Sequence, residues 1–227
     1  PASSGPAPLA RRERRRWRRA LRYGRLLPRL RAVTGADLAR PGLGRAKVLA
    51  LAARLMARGL FRAGGERYAR RNRTFGLCTL AKRHVAVHGS TLVFRYTGKG
   101  GRPQRQVVAD TPLAEVVREL LALPGRRLLR CIARDGSVRD VPATALNAYL
   151  RAALGARCTA KDARTFGATV RAATVLAELG PAATPEEAKR NVALCCRLVA
   201  LELGNTPAVA RRFYIHPAVL REYLTRG

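Results

Sequence analysis

From Lys47 onward the apolar residues fall three and four apart: Val48, Leu51, Leu55 and Met56 share one helical face, and Gly59 interrupts them. "FRAGGERYARRNRTFG" then brings a Gly-Gly turn and ends at Gly76. There the interval drops to two. "HVAVHG" and "STLVFRY" read as strands, with Leu92, Phe94 and Tyr96 alternating onto one face, and "RQVVAD" reads as a third. Between the last two, the Gly-rich "TGKGGRPQ" forms a hairpin tip. After it the helical interval returns. Thr111 as cap before Pro112 predicts a helix running to about Leu123, ahead of Pro124-Gly125. Further helices are expected over about 143–154, stopped by Gly155, and about 160–179, stopped by Gly180-Pro181. "TPEE" opens another, with Thr184 as cap, Pro185 in the first turn and Glu187 completing a capping box. Its stripe of Ala188, Val192, Cys195 and Val199 assigns Cys195 to packing. Gly204 ends that helix, and Thr206-Pro207 starts a short one leading to Tyr214. The expected fold is mainly α with a small three-stranded antiparallel β-sheet (α+β), without internal repeats.

The first ten residues, "PASSGPAPLA", have the composition of an unstructured start. Behind them, the spacing of Trp17, Leu21 and the Leu26/Leu27 pair permits a helix as far as Pro28, while a solvated basic arm fits the same charges equally well. The expected division is residues 1–40, a disordered start and Arg-rich connecting segment, and 41–227, the folded domain.

Charge narrows the class of partner. The 227 residues carry 45 Lys+Arg against 14 Asp+Glu, a net +31. A folded domain this basic repels itself until a polyanion neutralises it, and nucleic acid is the commonest such partner. A membrane is the competitor, but the chain has no apolar run of about 20 residues and no signal-peptide pattern. Hydrophobic residues make up 48%, enough for a real core. Five cysteines without CxxC spacing argue against a disulfide framework or a zinc site and fit a reducing, intracellular location. With three histidines, no metal centre or cofactor is expected. His84 and His88 read as surface groups on a strand and its turn, His216 and Tyr223 as structural. Of the 45 cations 40 are arginine, so Lys47, Lys82, Lys99, Lys161 and Lys189 stand out as places where an ammonium is needed.

"GNTPAVARRFYIHP" places Tyr214 directly behind a pair of arginines and Phe213. A phenol of ordinary pKa, about 10, is a poor nucleophile at neutral pH, but surrounding positive charge favours the phenolate and attracts phosphate. Opening a phosphodiester with a tyrosine needs fixed donors for the charge that gathers on the non-bridging oxygens, which a guanidinium fork suits. It also needs an acid for the departing alkoxide, which a lysine with a lowered pKa can be and an arginine cannot. Alone, each residue has a plainer reading: Tyr214 as a half-buried core tyrosine, Lys99 as a solvated turn lysine, Arg62 as one arginine among 40.

In order along the chain, "LFRAGGERYARRNRTFGLCTL", "FRYTGKGG", "TAKDARTFGAT" and "LGNTPAVARRFYIHPAVL" resemble the motifs of type IB DNA topoisomerases of the bacterial and poxvirus kind. The likeness runs from about Trp17 to Leu224. It implies the tyrosine recombinase/type IB topoisomerase catalytic fold over 41–227. It also implies a nucleophile at Tyr214, catalytic arginines at Arg62 and Arg164, a general acid at Lys99 and an oxyanion donor at Asn205. Tyr68 and Thr79 fall on phosphate-binding positions, and Lys161 is a further DNA contact. The implied activity relaxes supercoiled duplex DNA through a 3′-phosphotyrosyl intermediate, without ATP, metal or cofactor, in a monomer that binds DNA and no membrane. Asparagine rather than histidine at 205 leans towards the bacterial branch, hence a cytoplasmic, nucleoid-associated protein. Three departures stand out. Gly65 replaces the usual Asn, Phe213 replaces a small residue, and the family's N-terminal β-rich jaw has no counterpart here, residues 1–40 resembling only the connector out of it. Cleavage is expected to persist, with weaker DNA binding.

Two rivals remain. A tyrosine recombinase or integrase shares the fold and nucleophile, but usually has H-x-x-R where this chain has Lys161-x-x-Arg164. A non-catalytic basic nucleic-acid-binding module explains the charge but not the ordered Arg, Lys, Arg, Tyr set.

Overall fold

The computed structural model describes residues 6–226, with side chains described from 10 to 225. Two helices open it, α1 (Pro6–Arg25) and α2 (Leu27–Leu38). The chain breaks at Leu26, so the helix expected to run to Pro28 stops earlier, and Pro28 lies in the first turn of α2, where a missing N–H costs nothing. Helix from Pro6 onward also overturns the unstructured start for residues 6–10; residues 1–5 lie outside the described part. Nor is this a solvated arm. Trp17, Ala20, Tyr23 and Leu30 are buried.

Helix α3 (Arg45–Gly59) is the centre of the molecule. The predicted stripe of Val48, Leu51, Leu55 and Met56 is fully buried, and so are Ala50, Ala52 and Ala53 on its other sides. These small side chains let neighbours approach from several directions, so the helix is enclosed rather than amphipathic. A short helix, α4 (Glu66–Asn72), follows the Gly-Gly turn and was not foreseen.

The three strands fall where the two-residue interval put them: β1 (Val85–His88), β2 (Thr91–Thr97) and β3 (Pro103–Ala109), antiparallel in that order. Leu92 pairs with Val108, Phe94 with Gln106 and Tyr96 with Gln104, and all six side chains face inward. His84, just ahead of β1, corrects the surface reading: it is buried, and its Nδ1 accepts a hydrogen bond from the Ala81 N–H at 3.0 Å.

Helix α5 (Thr111–Ala122) is capped by Asp110, whose carboxylate accepts from the Leu113 N–H, and not by Thr111 as expected. A small hairpin of β4 (Arg130–Ile132) and β5 (Val138–Asp140) follows; strands of three residues are too short to show an interval of two. Helices α6 (Ala143–Leu154), α7 (Ala160–Leu179), α8 (Pro185–Leu203) and α9 (Pro207–Phe213) match the expectations, and α10 (Pro217–Arg226) closes the fold. Tyr223 on α10 is structural: its hydroxyl donates to the Gly180 carbonyl at 2.7 Å and accepts from Asn191. All five cysteines are buried and free.

Apolar side chains gather in two clusters. The larger surrounds α3, the three-stranded sheet, α5 and α6; the smaller joins α7, α8, α9 and α10. Helix α7 serves both, giving Ala160 and Ala163 to the first and Ala168, Ala172, Val175 and Leu176 to the second. Arg164 lies where one gives way to the other. Among the described residues no single helix is long and apolar enough to cross a membrane.

Candidate active site

Helix α8 ends at Gly204, whose left-handed backbone (φ +57°) turns the chain away. A side chain at 204 would also meet the Gln104 amide of β3 and displace it, so the left-handed backbone favours glycine and the neighbour adds to that preference. The turn takes up the Ala200 and Leu201 carbonyls through the Asn205 and Gly204 N–H groups and leaves that of Leu203 open, at the negative end of the helix dipole. Two arginines from distant parts of the chain meet it. Arg62 donates to the Leu203 carbonyl at 3.2 Å and to that of Gly204 at 3.4 Å. Arg164 donates to the same Leu203 carbonyl and to that of Leu60.

Arg62 is set by a close crossing of two backbone segments. The Leu77 and Cys78 N–H groups donate to the Arg62 and Ala63 carbonyls, each at 2.8 Å. Gly76 and Gly64 pack backbone to backbone, and a Cβ on Gly76 would press against the Arg62 carbonyl at 2.6 Å. Thr79 braces this crossing. It is buried, and its hydroxyl donates to the Gly76 carbonyl at 3.0 Å while accepting from the Gly76 N–H. The structure thus commits that hydroxyl inside the protein, where the resemblance implied a phosphate contact.

Arg62 also donates to Asn205 Oδ1 at 2.6 Å, which turns the amide nitrogen the other way. That Nδ2 is buried without a partner, and so is Nε of Arg164. Buried donors left unpaired cost free energy, so an acceptor that reached either one would be favoured. Burial and the nearby Arg62 cation push the Arg164 pKa down to about 10, opposed by the adjacent phenols of Tyr214 and Tyr96. A negative ligand would relieve that crowding.

Tyr214 follows the last turn of α9, with its ring centre 5.4 Å from the Arg164 guanidinium carbon. Thr169 of α7 fixes its backbone: the hydroxyl donates to the Tyr214 carbonyl at 3.0 Å and accepts from the His216 N–H at 3.1 Å. Sequence reasoning gave no role to Thr169, which closes the "TAKDARTFGAT" stretch one helical turn and a residue beyond Arg164. It put Tyr96 on the inner face of the sheet but gave it no place beside the two arginines; burial holds that phenol up at about 12 against the pull of Arg164 and Arg62.

Tyr214, Arg62, Arg164 and Asn205 are therefore brought together. Lys99 is not. It sits exposed at the hairpin tip, with no hydrogen bond or ion pair to a described residue. Tyr68 on α4 and Lys161 in the first turn of α7 are exposed. Among the described residues no three His, Cys, Asp or Glu side chains converge as a metal site requires.

A family model described as the catalytic core of eukaryotic DNA topoisomerase I matches residues 9–226. The chain belongs to that family. It is also 26% identical over 218 residues to DNA topoisomerase 1B of Acanthamoeba polyphaga mimivirus. That alignment covers 93% of this chain and 65% of the relative, so the chain spans less than two thirds of the viral protein's length. The topoisomerase core is thus the shown family, and the recombinase alternative gains nothing. The relative is viral, so the bacterial leaning drawn from Asn205 finds no support either. Within this topoisomerase core, all the side chains gathered around the α8 terminus fall inside the matched span.

Proposed function

We propose that this chain relaxes supercoiled duplex DNA by cutting and resealing one strand, with Tyr214 as nucleophile. One observation carries the reading: a phenol lies beside a buried guanidinium, and two buried donors, Arg164 Nε and Asn205 Nδ2, have nothing to bind. A phosphodiester oxygen supplies what they lack.

The Tyr214 oxygen attacks phosphorus, and its proton passes to solvent. Arg62, Arg164 and Asn205 hold the non-bridging oxygens as charge builds on them, already oriented before the substrate arrives. The bond from phosphorus to the 5′ oxygen breaks, and Lys99 protonates that oxygen as it leaves. For this the hairpin tip must close on bound DNA. Gly100 and Gly101, both at positive φ, give it the freedom to do so. A 3′-phosphotyrosyl ester replaces a phosphodiester, so bond energy is conserved and religation calls for neither ATP nor metal. Tyr68 and Lys161 contact the DNA backbone, while Thr79 serves by holding Arg62 in place.

The test is plasmid relaxation in EDTA without ATP, with covalent adducts followed on denaturing gels. The unsubstituted chain should relax plasmid and form the adduct, and Tyr214→Phe should do neither while binding DNA as before. Lys99→Ala should slow cleavage by about a hundredfold or more, as loss of a general acid does. An unsubstituted protein that binds DNA but never forms the adduct would leave the non-catalytic binding module as the answer.

A further inference from the structure

Thr169 holds the Tyr214 segment from one side, and α1 holds it from the other. The Arg16 guanidinium donates to the Arg212 carbonyl at the end of α9, at 3.1 Å, and to Glu13 at 3.1 Å. It lies 4.4 Å from the centre of the Trp17 ring and 5.4 Å from that of Phe213. The buried Trp17 meets the His216 ring edge-on at 5.1 Å. One turn further along α1, Arg19 binds the buried Asp162 carboxylate at 2.7 Å, tying α1 to the start of the helix that carries Arg164. So α1 grips residues 212, 213 and 216 on both sides of Tyr214, and the helix beneath it.

This grip has a physical reason. Helix α9 has seven residues, too few to be stable unaided, and its final carbonyls have no partner within the helix. A guanidinium on one of them caps the helix as a C-terminal cation does. Phe213 fits the same account. It is a large apolar side chain left 40% exposed, and the groups stacked on it are the guanidiniums of Arg16 and Arg212. It supplies a second platform for Arg16.

We infer that α1 is a clamp that sets the nucleophile, with Arg16 as its positioning residue: the contacts from Arg16 to the Arg212 carbonyl and the Phe213 ring hold Tyr214 over Arg164. The inference rests on Tyr214 being the nucleophile, and two measurements on the full chain keep the two claims apart. The first is amide hydrogen exchange in the free protein at Tyr214, Ile215 and His216, whose N–H groups bond to Ala210 and Thr169. Arg16→Met should speed exchange there about tenfold while α3 keeps its protection. The second is single-turnover cleavage. At saturating DNA, Arg16→Met should cleave about tenfold more slowly with Kd changed less than about threefold, and Arg16→Lys, which keeps a donor for the carbonyl, should recover most of the rate. Unchanged exchange at these three amides, or a cleavage defect that disappears at saturating DNA, overturns the clamp. Should Arg16→Met also open α3, Phe213→Ala removes one platform from the outside and decides by the same comparison. If the unsubstituted chain forms no adduct, the functional reading falls, and exchange alone still decides whether α1 holds the segment.

Discussion

Arg164 shows what one buried cation costs and why it is tolerated. It is 3% exposed, beside another guanidinium, and compensated only by carbonyls and phenols. Its proton is held less tightly than in the unfolded chain, so at neutral pH the charge opposes folding, and on the proposed function a bound phosphate would offset that. Gly204 is the second position where one residue governs the site. Gly204→Ala should cost about 2 kcal/mol in urea denaturation, from the left-handed backbone and the collision with Gln104. Measured against Gln104→Ala alone, adding Gly204→Ala should cost only the backbone part, about 1 kcal/mol. His84 and His216 give a pH dependence. Burial holds both below their ordinary pKa, and each Nδ1 accepts a backbone hydrogen bond that needs the neutral ring. Their contribution is therefore complete above the ordinary histidine pKa, about 6.5, and is lost as pH falls below it, because the unfolded chain takes up protons first. Urea midpoints should drop between pH 7.5 and 5.5. In His84→Asn, which does not titrate, the drop should be smaller.

Helix α8 illustrates how one element delivers chemistry at its end. Thr184 accepts the Glu187 N–H at 3.1 Å, Glu187 accepts the Ala183 N–H at 2.8 Å, and the apolar stripe seats the helix in the second core. Those features fix where its C-terminal carbonyls lie, and hence where Arg62 and Arg164 converge. Thr184→Ala should cost about 1 kcal/mol by denaturation, the usual loss for an N-cap. The β2–β3 hairpin works differently. Its base is locked, with Tyr96 and Gln104 buried against the site, while its tip carries Lys99 free on three glycines. On the proposed function, the donors that converge at the end of α8 are set before DNA binds, and the acid at the hairpin tip joins them with the DNA.

Charge acts over the entire surface. Arg11, Arg12, Arg14, Arg15 and Arg18 are all exposed on α1, unpaired with any described acid, and together with the net +31 they create a strong field for a polyanion. DNA affinity should fall with salt, log K dropping by about 0.9 per log unit for each phosphate neutralised. Changing Arg11, Arg14, Arg15 and Arg18 to Gln should flatten that slope by about 1 for each arginine in contact. An unchanged slope in a salt titration would place DNA away from this face of α1. Structurally, the two apolar clusters are joined through α7, and the site occupies their seam. Seating the Tyr214 segment is therefore coupled to packing in the smaller cluster.

Much of the molecule was legible in its order of residues. Intervals of two and of three to four encode which side of an element is buried, and Gly, Pro and Thr mark where it stops. That was enough for β1 to β3 and for α6 to α9, and the ordered motifs were enough to single out Tyr214, Arg62, Arg164 and Asn205. Elements too short to show an interval, α4, β4 and β5, left no trace. Neither could local pattern say whether the arginines of α1 sit in water or on a neighbour, because Arg16 and Arg19 find their partners 196 and 143 residues away. Chain closure alone decides which of 40 arginines lose their water. It carried Arg62 and Arg164 to one carbonyl at Leu203, turned the Asn205 amide, set Thr169 beneath Tyr214 and left Lys99 outside.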